Sequence, residues 1–236
     1  AHYTSETIVR SMWNAAQRLG FSGGTVFEPG MGVGNFAGMM PEAMRASSRY
    51  SGIEYDHITA LIAKGLYPKW DVKQADFTAM SLPPDTYDLV IGNPPFSETV
   101  VAADPAYKGF MLHDYFFVKS LDAVRPGGLL MFISSAGTMN KVDAKARERM
   151  AERADLVGAI RLPGDAFAQN AGTSVTTDIV ILRKRLAGDP VGAATWTEAV
   201  RRTLPARDGG THTGNVSRYF SDNPDMVLGE EGFFDK

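Results

Sequence analysis

The chain has 236 residues, 44% of them hydrophobic and 22% charged, with a formal net charge of −3. Such a length can bury a sizeable core and suits one large α/β domain, or one domain with a tail. Cysteine is absent, which excludes disulfides and thiolate zinc sites and makes the cytoplasm the default compartment. No window is apolar enough to span a bilayer and no basic-then-apolar signal opens the chain, which starts at Ala1 and reads as a piece of a longer parent.

In chain order, residues 5–19 predict an amphipathic helix with Ile8, Val9, Met12 and Ala16 or Leu19 on one face. Gly23-Gly24 ends that unit, and Thr25-Val26-Phe27-Glu28 is a short buried strand. Residues 35–46 predict a helix, 50–54 a strand, 57–65 a helix, and 71–75 and 88–92 two further strands. A helix over 112–124 is stopped by Pro126-Gly127-Gly128 and followed by the strongly apolar strand 129–134. A helix over 141–153 and strands over 156–162 and 176–182 complete the pattern. Strands alternating with helices in this way imply a mostly parallel, doubly wound sheet with helices on both faces. Gly188, Pro190, Pro205, Gly209 and Gly210 mark a compositional shift. The expected organisation is a main domain, 1–185, and a weakly structured acidic extension, 186–236.

Charge is unevenly spread. Residues 141–207 carry twelve Lys/Arg against eight Asp/Glu, a local +4, whereas 208–236 carry two against six, a local −4. Lys141, Lys145, Arg147, Arg149 and Arg153 are interleaved with Asp143, Glu148 and Glu152, the pattern of a solvated helix face; a phosphate-contacting surface is the alternative.

The most informative residues are Asn93-Pro94-Pro95-Phe96, directly after the apolar run 87–92. A strand that stops there presents an amide, a rigid carbonyl and an aromatic ring at the carboxyl edge of a sheet, where open α/β sheets bind ligands. That grouping suits holding a planar amino group by its hydrogens while its nitrogen is alkylated; alone, it is also a Pro-stiffened strand exit. Glu28-Pro29-Gly30-Met31-Gly32-Val33-Gly34-Asn35-Phe36 places glycines between a strand and a helix, so that a ligand can approach backbone N–H groups. The Gly-x-Gly-x-Gly spacing and the preceding Glu28 disfavour a pyrophosphate and favour a cationic amino acid moiety. Glu54 ends the second strand, about twenty residues after the glycine loop, where an acid accepts from ribose hydroxyls. Asp76, ending the third, suits an adenine amino group, with Phe77 stacking or packing on the ring. Taken singly, these carboxylates are ordinary helix caps and Phe77 an ordinary core aromatic; together they share one rim.

Tyr3-Thr4-Ser5 before a helix, FEPGMGVGNF (27–36), GIEYD (52–56), QADF (74–77) and IGNPPF (91–96), in that order, resemble the S-adenosylmethionine-dependent DNA adenine-N6 methyltransferases. Among these are the modification subunits of type I restriction systems and the methylase halves of type IIG enzymes. Leu162-Pro163-Gly164-Asp165-Ala166-Phe167 and 176–182 resemble the family's paired end strands. Segments 216–220 and 223–229 are similar to phage and plasmid methyltransferase–helicase fusions. The resemblance implies a seven-stranded Rossmann-like class I methyltransferase sheet with an antiparallel end strand, and a cytoplasmic protein of bacterial, phage or plasmid origin. It implies that Tyr3 and Thr4 close over the cofactor's methionine end and that Glu28 and the backbone at Gly30, Gly32 and Gly34 hold it. Glu54 takes the ribose and Asp76 with Phe77 the adenine, with Pro29, Phe36, Tyr55 and Asn93 completing the cofactor site. The family usually has Ala or Ser at Gly30 and often Thr at Val33.

The implied reaction is methyl transfer from S-adenosylmethionine to the N6 of a flipped adenine in DNA, leaving S-adenosylhomocysteine. The Asn93 side-chain oxygen and the Pro94 carbonyl would each accept one amino hydrogen, making the nitrogen a better nucleophile. Phe96 stacks on the base, and Phe167 is the candidate for its other face, with a core role equally open. In-line displacement on a sulfonium needs no metal and no covalent nucleophile. Residues 97–111 leave directly from this turn and read as a mobile lid or DNA-facing loop, with Lys108 toward phosphate. His113-Asp114 reads as a helix start with Asp114 as N-cap, and Tyr115-Phe116-Phe117 as core. Two other readings stand beside this one: a methyltransferase acting on an RNA guanine or protein glutamine, and a catalytically silent cofactor- or DNA-binding module. Expected partners are DNA and further recognition or helicase domains, and no membrane.

Overall fold

The structure, a computed structural model, describes residues 4–97, 99–101, 104–164, 166–167 and 176–233. The first half runs α1 (Glu6–Arg18), β1 (Thr25–Pro29), α2 (Asn35–Met39), α3 (Glu42–Arg45), β2 (Arg49–Glu54), α4 (His57–Leu66), β3 (Asp71–Gln74) and β4 (Tyr87–Gly92). The second runs α5 (Leu112–Ala123), β5 (Val124–Ser135), α6 (Gly137–Asn140), α7 (Lys145–Ala151), β6 (Ala154–Arg161), β7 (Thr177–Lys184), β8 (Ala199–Pro205), β9 (Thr211–Ser217) and α8 (Arg218–Asp222).

Seven strands form one sheet in the order β3-β2-β1-β4-β5-β7-β6. The antiparallel strand, β7, lies between β5 and the edge strand β6; the remaining pairings are parallel. A parallel sheet must be covered on both faces, because its crossovers place helices there. On one face α1 and α2 bring Val9, Met12, Trp13 and Phe36 against Val26, Leu89, Ile91 and Met131; on the other α5 and α7 bring Tyr115, Phe117, Leu121 and Met150 against Phe27, Val90, Leu130 and Phe132. Each strand's alternate residues serve opposite cores. Because β1 pairs with both β2 and β4, the chain winds outward in opposite directions from that point, and a cleft opens at the carboxyl ends of β1 and β4.

Two helices differ from the sequence expectations. The helix expected over 35–46 is two short helices broken at Met40-Pro41, because Pro41 has no N–H to continue the ladder. The helix expected over 141–153 begins only at Lys145, whose N–H is held by Asp143 (3.1 Å). Its supposed solvated face is interrupted: Arg147 is fully buried and donates to the carbonyls of Thr197 (2.7 Å), Thr138 (2.8 Å) and Lys141 (2.6 Å).

The segment after 185, expected to be weakly structured, carries a β8–β9 hairpin and a terminal helix docked on the main core. Phe220 is fully buried beneath the Arg161 guanidinium (4.3 Å), and the Leu228 N–H reaches the Arg161 carbonyl (2.8 Å). Glycines and prolines there mark turns between real strands rather than disorder. Phe220→Ala is expected to cost about 3–5 kcal/mol through cavity formation; a denaturant-unfolding midpoint indistinguishable from wild type would show the segment to be dispensable. Among the described residues no helix is long and apolar enough to cross a membrane.

Candidate functional site

The cleft at the switch point has a volume of about 590 Å³ and is walled by the ends of β1, β2, β3 and β4 and by the start of α5. Its floor on the β1 side is the glycine loop. Gly30, Gly32 and Gly34 all have positive φ (71°, 57° and 88°), which lets the chain turn tightly from β1 into α2. At Gly34 the constraint is double, since an added Cβ would also run into the Tyr67 ring. Gly34→Ala is therefore expected to destabilise the fold by about 2–4 kcal/mol, read from its denaturation midpoint; an unchanged midpoint would show that the loop adapts freely.

Glu54 buttresses this loop. Its two carboxylate oxygens accept from the N–H groups of Gly32 and Asp56, each at 2.8 Å. Glu28 lies deeper, 2% exposed, and its Oε2 accepts from the Tyr50 hydroxyl at 2.5 Å. Burial disfavours its charged form and pushes its pKa up to about 8; the Tyr50 hydrogen bond works against that shift and neighbouring Glu54 adds to it. Tyr50 is itself raised by burial and by the adjoining carboxyl. Burial thus weakens the Glu28 acid relative to an ordinary carboxyl group.

On the β3 side, Asp76 is exposed at the rim, with Oδ1 held by the Thr78 N–H (2.8 Å) and hydroxyl (2.7 Å). Phe77 is buried and stacks on Phe116 with centroids 4.4 Å apart, forming an apolar floor. Tyr55 stands at the mouth, 72% exposed. This wall offers a flat apolar surface with a carboxylate at its edge.

The β4 side carries Asn93, Pro94, Pro95 and Phe96. Pro94 restricts Asn93 to extended backbone, so the strand exits rigidly. The Asn93 Nδ2 donates to the Thr4 hydroxyl (3.1 Å), while its Oδ1 is buried without a hydrogen-bond partner among the described residues. A buried amide oxygen left open in this way costs free energy unless something donates to it.

The structure brings together on this cleft Thr4, Glu28, Gly30, Gly32, Phe36, Glu54, Tyr55, Asp76, Phe77 and Asn93 to Phe96. Pro29 and Gly34 shape the loop without lining the cleft. Phe167 is buried in the core on the α1 face and does not line it either. Tyr3 lies outside the described residues. Sequence reasoning missed Tyr50, Leu112 and Phe116. The first shares a strand face with Glu54 by period two, and the last two share a helix face at i, i+4, so both signals were available.

The connection 97–111, expected to be a mobile lid or DNA-facing loop, is tied down along its described length. Val100 and Met111 form a β-bridge, the Tyr107 hydroxyl donates to Asp122 (2.7 Å), and Asp104 reaches α5. Lys108 is exposed. Asp114 is not the N-cap of α5, a place taken by Met111; it is buried in the first turn and paired with Lys141.

No protein-family profile matches the chain. It is 30% identical over 192 residues, 79% of its length, to "Defense against restriction protein B" of Escherichia phage P1, and spans 8% of that protein. Among solved structures it is similar to a Listeria monocytogenes protein assigned to the class I S-adenosylmethionine-dependent methyltransferases. There the TM-score is 0.66 at 17% identity, over 80% of this chain and 63% of that one. It is also similar to the methyltransferase subunit of a type I restriction-modification system from Streptococcus thermophilus, with TM-score 0.66 and 19% identity over 79% and 45% of the two chains. The fold is that of the class I methyltransferases. Within this fold the cleft lies at the β1/β4 switch point, where the glycine loop and the Asn-Pro-Pro-Phe turn face each other.

Proposed function

We propose that the chain is an S-adenosylmethionine-dependent methyltransferase that methylates the N6 amino group of a flipped adenine in DNA. The observation that carries this reading is the open Asn93 Oδ1, buried at the head of the Asn-Pro-Pro-Phe turn on a cleft that Glu28, Glu54 and Asp76 also line. Two acceptors on one rigid turn suit the two hydrogens of one amino group. With both hydrogens held, the lone pair is released from conjugation with the ring and can be aimed at the methyl group.

S-adenosylmethionine supplies the activated methyl when bound. Thr4, Glu28 and the glycine-loop backbone would hold its methionine end, Glu54 its ribose, and Asp76 with Phe77 its adenine. Tyr3 belongs to the same proposed set. Glu28 would meet the cofactor's ammonium, and Phe96 would stack on the target base. In-line alignment and fixed dipoles then supply most of the rate. The likeness to a phage protein named for defence against restriction, and to a type I modification subunit, supports DNA as substrate and further domains or subunits as partners.

Incubation with methyl-labelled S-adenosylmethionine and DNA, RNA or protein tests the reading. Labelled N6-methyladenine is the expected product. Label in RNA guanine or protein glutamine would overturn the DNA assignment, and cofactor binding without transfer to any substrate would mark a binding module.

A further inference from the structure

Lys119 on α5 is a charged residue that the reaction does not use, yet its side chain is only 3% exposed. An ammonium is buried at such cost only where acceptors surround it. Here its Nζ donates to the Phe77 carbonyl (2.8 Å), the Tyr115 hydroxyl (2.6 Å) and Asp104 Oδ2 (3.2 Å), and lies 5.0 Å from the ring centroids of both Phe77 and Tyr115. The Tyr115 hydroxyl closes the triangle by donating to Asp104 (3.0 Å). These partners come from two turns that also meet at Tyr115, whose hydroxyl lies 3.5 and 3.4 Å from the Phe77 and Thr78 carbonyls and whose ring packs edge-on against Phe77 and Tyr107. Phe77 belongs to the turn after β3 that floors the cleft, whereas Asp104 belongs to the connection leaving the Asn-Pro-Pro-Phe turn, where its Oδ1 also caps a short 3₁₀ turn at the Ala106 N–H (3.2 Å).

We propose that Lys119 is a positioning residue that locks the connection leaving the Asn-Pro-Pro-Phe turn onto the floor of the cleft. Through it, order at the 76–79 turn and order at the 104–107 turn rise and fall together. On the cofactor reading of the cleft, on which this part alone rests, the link couples occupancy of the adenine end to the shape of the loop beside the acceptor base. A binding event on one wall then prepares the other. A lysine that merely filled core space would stabilise the whole domain without linking these two turns.

Hydrogen exchange on the whole chain, without ligand, tests the link. Lys119→Met is expected to accelerate exchange at Thr78 and Ala79 and at Ala106 and Tyr107 by about tenfold or more, with the amides of β4 and β5 unchanged. Asp104→Asn sits on a surface connection outside the core and must loosen Thr78 and Ala79 from across the chain. Acceleration at 104–107 alone in Asp104→Asn, or uniform acceleration of the whole domain in Lys119→Met, overturns the proposal. In a second arm, Asp104→Asn is expected to weaken S-adenosylhomocysteine binding and raise the cofactor KM by several-fold, with kcat at saturation within about twofold. Unchanged affinity and KM would overturn the coupling to cofactor. If the wild type binds no S-adenosylhomocysteine, the cofactor reading of the cleft fails, whereas the exchange result still decides whether Lys119 links the two turns.

Discussion

Asn93→Ala is expected to lower methyl transfer to DNA by on the order of 10²–10³-fold while shifting S-adenosylmethionine affinity only a few-fold. The scale follows from preorganised dipoles aimed at a reacting centre, where removing one group costs about that much. Asn93 Oδ1 is buried and has no partner among the described residues, so its hydrogen-bonding capacity is held ready for an incoming donor. Its other atom is committed to Thr4, so the amide is already oriented before anything binds. Alanine removes the acceptor and the orientation together but leaves the Pro94 carbonyl, the glycine loop and Glu54 in place. Single-turnover rates at saturating cofactor, with calorimetric titration of S-adenosylhomocysteine, separate the two effects. A variant that methylates at the wild-type rate would end the assignment of Asn93 as an acceptor of the amino hydrogen. Equal loss of cofactor binding and rate would place it in the cofactor site instead.

The second large effect concerns Glu28 and pH. Its folded pKa, pushed up to about 8 mainly by burial, lies above the ordinary glutamate value of 4.5. Between those values the folded chain holds a proton that the unfolded chain has released, so stability falls as pH rises from about 5 to 8. The part of this slope that belongs to Glu28 amounts to a few kcal/mol at most across the window. Glu28→Gln, which keeps the shape and cannot ionise, is expected to flatten unfolding free energy over that range. Parallel pH slopes in the two proteins would show that Glu28 is already ionised in the protein without ligand.

Cofactor binding should run the other way. A cationic amino group entering the cleft is best met by the carboxylate, so the site must lose its proton first. S-adenosylhomocysteine affinity is expected to rise with pH toward 8 by up to about tenfold per unit. Calorimetry in buffers of different ionisation enthalpy should detect a released proton. Glu28→Gln should bind more weakly and without that pH dependence; a pH-independent wild-type affinity would remove Glu28 from the proposed ammonium contact.

Much of this was legible in the chain. Short apolar runs separated by helical periods specify a parallel sheet, and β1, β2, β4 and β7 fall within a few residues of where that pattern puts them. The misses have local causes. Pro41 breaks one helix without a clear change in periodicity. Arg147 looks like a solvated basic residue until three carbonyls, two from the preceding turn and one from Thr197 further along the chain, are brought around it. The turns of 199–217 resemble linker composition, because hairpins and disordered tails both use glycine and proline.

By itself the sequence determined which residue types stand at the ends of β1, β2, β3 and β4, since strand ends follow from local pattern and turn chemistry. It determined the Asn-Pro-Pro-Phe turn and the glycine loop, whose geometry lies in a few consecutive dihedrals. Only the tertiary structure decided how these groups act on one another. That Tyr50 binds Glu28, that burial pushes the Glu28 pKa up, that Thr4 orients Asn93, and that Lys119 joins Phe77 to Asp104 all depend on residues distant in sequence. The physical reason is that hydrogen bonding and the cost of burying charge depend on distance and solvent access, which the order of residues does not contain.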